Sequence, residues 1–120
     1  MTQDRVRAMI NELLTAAGWK PFDNMGFARK AYATAVGEKV ASIYLGFWRD
    51  GEGFTVRGDY YSEGRNILEP WSVLVSLPNT DAEIRRLVRT FLADADRVVT
   101  NSYAARLLNP TQQRENHASH

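Results

Sequence analysis

The chain has 120 residues, and its 15 basic and 14 acidic side chains leave a formal net charge of +1. That length suits one domain able to bury a two-layer core without staples, and the absence of cysteine excludes disulfides, zinc thiolate sites and thiol chemistry. Near-neutral charge lacks both the positive field of a typical DNA-binding domain and the dense negative field of a nucleic-acid mimic.

The opening Met1-Thr2-Gln3-Asp4-Arg5 is not followed by a long apolar core, and no apolar run reaches bilayer length. A cytoplasmic protein without a membrane segment is expected. Val6, Met9, Ile10, Leu13, Leu14 and Ala17 recur at helical spacing, with Gly18 as a stop. This predicts a first helix from Thr2 or Gln3 to Ala17. The next eight residues, Trp19 to Gly26, mix turn formers with Trp19, Phe22 and Met25, so they read as a packed connector in which Trp19 and Phe22 close one end of the core.

Residues 27–35 read as a first strand. A two-residue turn at Gly37-Glu38 would set Tyr32 beside Ile43 on the core face and Arg29 on the outer face. The stretch 39–61 follows as two strands around Arg49-Asp50-Gly51-Glu52-Gly53. Asp50-Gly51 between apolar runs signals a tight hairpin, because such turns need positive φ. An even-length loop then puts Ile43, Leu45 and Phe47 on one face with Phe54, Val56, Gly58 and Tyr60. Tyr44, Trp48, Arg57, Asp59 and Tyr61 fall on the other, which is aromatic and charged.

After the polar loop 62–66, a fourth strand is expected within 67–77, with Trp71, Val73, Val75 and Leu77 on its apolar face and Pro70 at its start or on an edge. Pro78-Asn79 ends the sheet. Thr80-Asp81-Ala82-Glu83 has the capping-box pattern, and Ile84, Leu87, Val88, Phe91, Leu92, Ala95, Val98 and Val99 form the stripe of a core-facing helix. Past Asn101 the pattern drifts to Tyr103, Leu107 and Leu108, which predicts either a turned face or a break near 100–102. Residues 1–109 are expected to form one domain and 110–120, without large apolar side chains, a disordered tail.

Hairpin-length connections make the expected fold α+β: helix, four-stranded antiparallel meander, helix, with both helices packed on one sheet face. This order broadly resembles the double-stranded RNA-binding domain, which is helix, three strands, helix. The chain departs from that family by its extra strand and by Asp81 and Glu83 where the family carries a basic cluster entering the second helix. The resemblance is one of topology, which does not carry function with it.

Chemistry-bearing patterns are sparse. His117 and His120 lie in the tail, no metal-ligand spacing occurs, and the glycines turn strands rather than opening a phosphate-binding helix. No base accompanies Ser62, Ser72 or Ser76. Three carboxylate pairs stand close in sequence: Asp59 with Glu63, Asp50 with Glu52, and Asp94 with Asp96. They read as solvated charge, a turn and a solvated helix face, with Asp81 spaced to pair with Arg85. Neither catalytic residues nor metal or other cofactors are expected, and the chain reads as a non-enzyme.

The favoured expectation is a protein-binding module, a stoichiometric regulator or inhibitor, that meets an unidentified partner or a second copy through Tyr44, Trp48, Arg57, Asp59 and Tyr61. These are mostly residue types in which binding energy concentrates. If the segment after Asn101 folded back over this face, the surface would be lost. The rival is a nucleic-acid-binding accessory protein that stacks bases on the same aromatics, with Arg29, Arg49, Arg85, Arg86 and Arg89 on the backbone.

Overall fold

The computed structural model describes residues 2–76 and 80–108. The expected tail, the strand position of Leu77 and the Pro78-Asn79 stop lie outside the described residues. Helix α1 spans Gln3–Ala16, and the Thr2 hydroxyl accepts from the Arg5 amide at 3.2 Å, satisfying an N–H that the helix start leaves free. Its apolar stripe, Val6, Met9, Ile10, Leu13 and Leu14, is buried.

The connector then runs back beside the first strand, where the Lys20 amide donates to the Arg29 carbonyl at 2.9 Å. Trp19 is buried and Phe22 packs against the core, so both close its end. Strands β1 (Phe27–Thr34), β2 (Gly37–Phe47) and β3 (Gly53–Asp59) form an antiparallel meander. The first turn differs from expectation: Thr34 pairs with Gly37 and Tyr32 with Lys39, so the loop is Ala35-Val36 rather than Gly37-Glu38. The Thr34 hydroxyl accounts for this choice, since it donates to the Gly37 carbonyl and accepts from the Val36 amide. The shift is an even number of residues, so Tyr32 still faces the core and Arg29 still faces out.

The β2–β3 register pairs Phe47 with Phe54, Leu45 with Val56 and Ile43 with Gly58, as the alternation predicts. The loop holds four residues, Arg49 to Glu52, because Trp48 still pairs with Gly53 through a 2.9 Å bond. Gly51 supplies the positive φ, at 74°.

The expected fourth strand lies within 67–77 but begins only at Val73, after Pro70 and Trp71. Tyr61–Ser62 (β4) and Arg65–Asn66 (β5) make a separate short ladder, Glu69–Trp71 is a 3₁₀ turn, and the strand proper is β6, Val73–Ser76, on the free edge of β3. Pro70 lacks an N–H for a ladder and suits the first turn of a helix instead, and Asn66 anchors the detour through bonds to Tyr60, Leu68, Asp59 and Gly58. Trp71 therefore leaves the sheet and lies under the Arg97 guanidinium, 5.1 Å from its ring centroid.

Helix α2, Asp81–Thr100, begins at a Thr80 cap that accepts from the Glu83 amide. It ends at Asn101, and a short helix α3, Tyr103–Leu108, follows. The chain thus breaks where the apolar pattern drifts. The α3 helix packs on β1 and α2, with the Ala35 amide bonded to the Ala104 carbonyl at 3.3 Å. The core lies between the sheet and α1 with α2: Ile43, Leu45, Phe54, Val56 and Val75 face Ile10, Leu14, Ile84, Val88 and Phe91. Among the described residues no helix is long and apolar enough to cross a membrane.

Candidate functional site

Strand alternation sends every second side chain of the four-stranded sheet away from the helices. Three rows of outward residues cross the strands: Phe27, Tyr44 and Arg57; Arg29, Ser42 and Asp59; Gly46, Thr55 and Leu74. Leu74 is 73% exposed and Val40, also on this face, 50%. Among the described residues the two long helices lie on one side of the sheet and leave the other uncovered, with α3 packed on β1 and α2.

Aromatic and cationic groups on the face hold one another. The Phe27 and Tyr44 rings lie 5.2 Å apart, and the guanidinium groups of Arg29 and Arg57 sit 5.5 Å from the Phe27 and Tyr44 centroids respectively. Stacking of this kind fixes a flat cation against a ring while leaving its edge donors outward. Trp48 lies over Gly53, where a Cβ would overlap its ring, and its indole N–H donates to the Thr55 hydroxyl at 3.2 Å. Glycine at position 53 is therefore the seat for the tryptophan ring.

Charges here are largely balanced. Arg57 Nε lies 3.5 Å from Asp59 Oδ2, and Asp59 also accepts from Asn66 at 2.7 Å. Arg29 pairs closely with Asp23, whose carboxylate accepts the Met25 and Phe27 amides as well. The Arg29 hydrogen bond, helped by the Phe27 amide, holds the Asp23 carboxyl below its usual range.

Tyr44, Trp48, Arg57 and Asp59 thus share one surface. Tyr61 sits in β4, off the four-stranded sheet, with its side chain 62% exposed and its carbonyl bonded to Lys39. The arginines proposed for nucleic acid do not converge. Arg29 is on the outer face, Arg49 at the hairpin tip, and Arg85, Arg86 and Arg89 on α2 in the opposite layer. Arg85 pairs with Glu12 at 3.2 Å and Arg86 with Glu83 at 3.0 Å. Asp81 pairs with Arg5 at 2.7 Å instead of Arg85, because α1 lies alongside and offers a partner that spacing within one helix cannot reveal.

Of the carboxylate pairs, Asp50 closes its turn by accepting the Glu52 amide at 2.9 Å, and Glu63 occupies a turn at φ 53° while Asp59 is engaged elsewhere. No group of three potential metal ligands occurs among the described residues. Asp94 pairs with Arg97 on its own helix. Asp96 is different from the solvated charge expected: its Oδ1 accepts from the Tyr32 hydroxyl at 2.8 Å and from Lys30 Nζ at 3.3 Å. Burial, reinforced by this carboxylate, pushes the Tyr32 phenol well above its usual range. The signal available in sequence was Lys30, a lysine at a core-facing strand position that must find a partner under the helices. Comparison with models of known protein families, with curated proteins and with solved structures finds no match.

Proposed function

We propose that the protein is a non-enzymatic binding module, a stoichiometric regulator or inhibitor, that docks the outer sheet face against another protein. A cytoplasmic setting belongs to the same reading, supported by a cysteine-free chain. The observation that carries the proposal is the sheet layer, uncovered among the described residues, on which exposed Leu74 and half-buried Phe27, Tyr44 and Trp48 lie beside Arg57. Exposed apolar and aromatic clusters rimmed by charge are a mark of protein contact. Balanced pairs favour a protein over a phosphate backbone, because Asp23 and Asp59 already neutralise the two arginines nearest the rings.

The test uses a Leu74→Asp, Arg57→Glu double variant, two positions that point away from the core. Mass is measured by light scattering at low and high salt, with and without a single-stranded oligonucleotide, and proteins captured by the wild type and the variant are compared. The expected result is self-association or capture that the variant loses while remaining folded. Equal mass and equal capture for both proteins would overturn the reading. Oligonucleotide binding that falls steeply with salt would replace it with the nucleic-acid alternative.

A further inference from the structure

On the helix side of the molecule, away from the outer face, α1, β1 and α2 border an open cleft of about 350 Å³. Pockets for small ligands begin at about 300 Å³. Leu13, Trp19 and Leu92, all buried, supply its apolar wall, and Ala16 and Ala93 flank it from the two helices. Alanine on both helices leaves room that a larger side chain at either position would fill.

One side of the cleft is polar and already organised. Lys30 Nζ donates to the Ala17 carbonyl at 2.9 Å and to Asp96 at 3.3 Å. The Tyr32 hydroxyl binds the same carboxylate oxygen. Lys30 and Asp96 therefore offset each other, and the end of α1 receives its cation from within the chain. Arg89 lines the same cleft. Arg85, Arg86 and Arg97 on the same helix each have a carboxylate within 3.5 Å, whereas Arg89 has none among the described residues. The balance of Lys30, Arg89 and Asp96 is one positive charge beside an apolar wall.

We infer that this cleft binds a small organic anion with an apolar body, of the medium-chain carboxylate class. The chain lies on Leu13, Trp19 and Leu92, and the carboxylate pairs with Arg89. An organic cation would meet a lining of net positive charge, and a neutral alcohol would leave Arg89 without its counter-charge. The inference is independent of the outer-face proposal, since it concerns the other layer of the molecule.

Octanoate, octylammonium and octanol are titrated separately into the full chain, with amide NMR spectra and Trp19 indole resonances as the readout. Octanoate is expected to give saturable shifts at Ala16, Ala17, Ala93 and the Trp19 indole. Arg89→Gln should weaken it about tenfold or more, the scale of one charge-assisted bond. Ala93→Leu should abolish it by filling the cleft, in a protein whose remaining spectrum is unchanged. Absence of saturable shifts around the cleft, octanoate affinity unaltered in Arg89→Gln, or equal binding of octylammonium would each overturn the assignment.

Discussion

The two faces of the sheet are made by the same strands in alternation, yet they obey different rules. Toward the helices, Ile43, Leu45, Phe54, Val56 and Val75 are each at most 5% exposed and have no charged neighbour in their rows. Toward the outside, rings are kept in place by arginines and one tryptophan by a glycine. Burial fixes the first face through volume, and stacking fixes the second through charge and shape. Side chains on the outer side thus hold fixed partners although no layer of the described residues covers them, at the cost of leaving apolar surface in water.

Substitutions that sample both faces should separate these rules. Phe54→Ala removes a fully buried ring and should cost about 3 to 5 kcal/mol, measured by denaturant unfolding. Phe47, on the same face but only partly buried beneath Arg7 and beside Phe54, should cost less. An equal cost would mean that burial does not grade this face. The Tyr32→Phe change, which removes a bond to a carboxylate, should cost about 1 kcal/mol and has a pH signature. Because the folded phenol is held above its unfolded value, the native state keeps its proton longer. That stability is fully present below the ordinary tyrosine value of about 10 and is lost as pH rises beyond it. The wild type should destabilise on this alkaline limb more steeply than Tyr32→Phe, and parallel curves would break the link to Asp96. Smallest of all, the Leu74→Asp and Arg57→Glu changes should shift stability by no more than about 0.5 kcal/mol, as surface positions do.

Much of this contrast was legible in the sequence, for a physical reason. Period-two alternation in 41–47 and 54–60 depends only on local chain geometry, and the register of Phe47 against Phe54 follows once Gly51 turns the chain. The start of α2 was written in the capping box at Thr80, and that of α1 was placed to within one residue. The fourth strand within 67–77 was found, but Trp71 missed its expected place on it, because the approach to that strand is set by Asn66, whose amide reaches four other residues through space. The Ala35-Val36 turn likewise depends on one hydroxyl. On the outer face, Tyr44, Trp48, Arg57 and Asp59 came from alternation alone, whereas Phe27 and Leu74 needed the cross-strand rows. The cleft was hidden, because Lys30 on β1 lies 66 residues before Asp96 on α2, and the apolar wall joins them only when α1 packs beside that helix.

That neighbouring of the first and last long helices has a consequence for how the chain acquires its structure. Arg5 meets Asp81 and Glu12 meets Arg85, so the two helices run in the same direction although the whole sheet separates them in sequence. Contacts of such separation carry a large closure entropy and slow the search. During synthesis the meander can pair as soon as it emerges, but the apolar stripe of α1 stays half-covered until α2 is complete. A fragment covering residues 1–79 should accordingly bind a hydrophobic dye that the full chain does not, and a dye-silent fragment would mean that α1 and the sheet close without α2. Between those two lengths the uncovered stripe is the surface on which unwanted association would start.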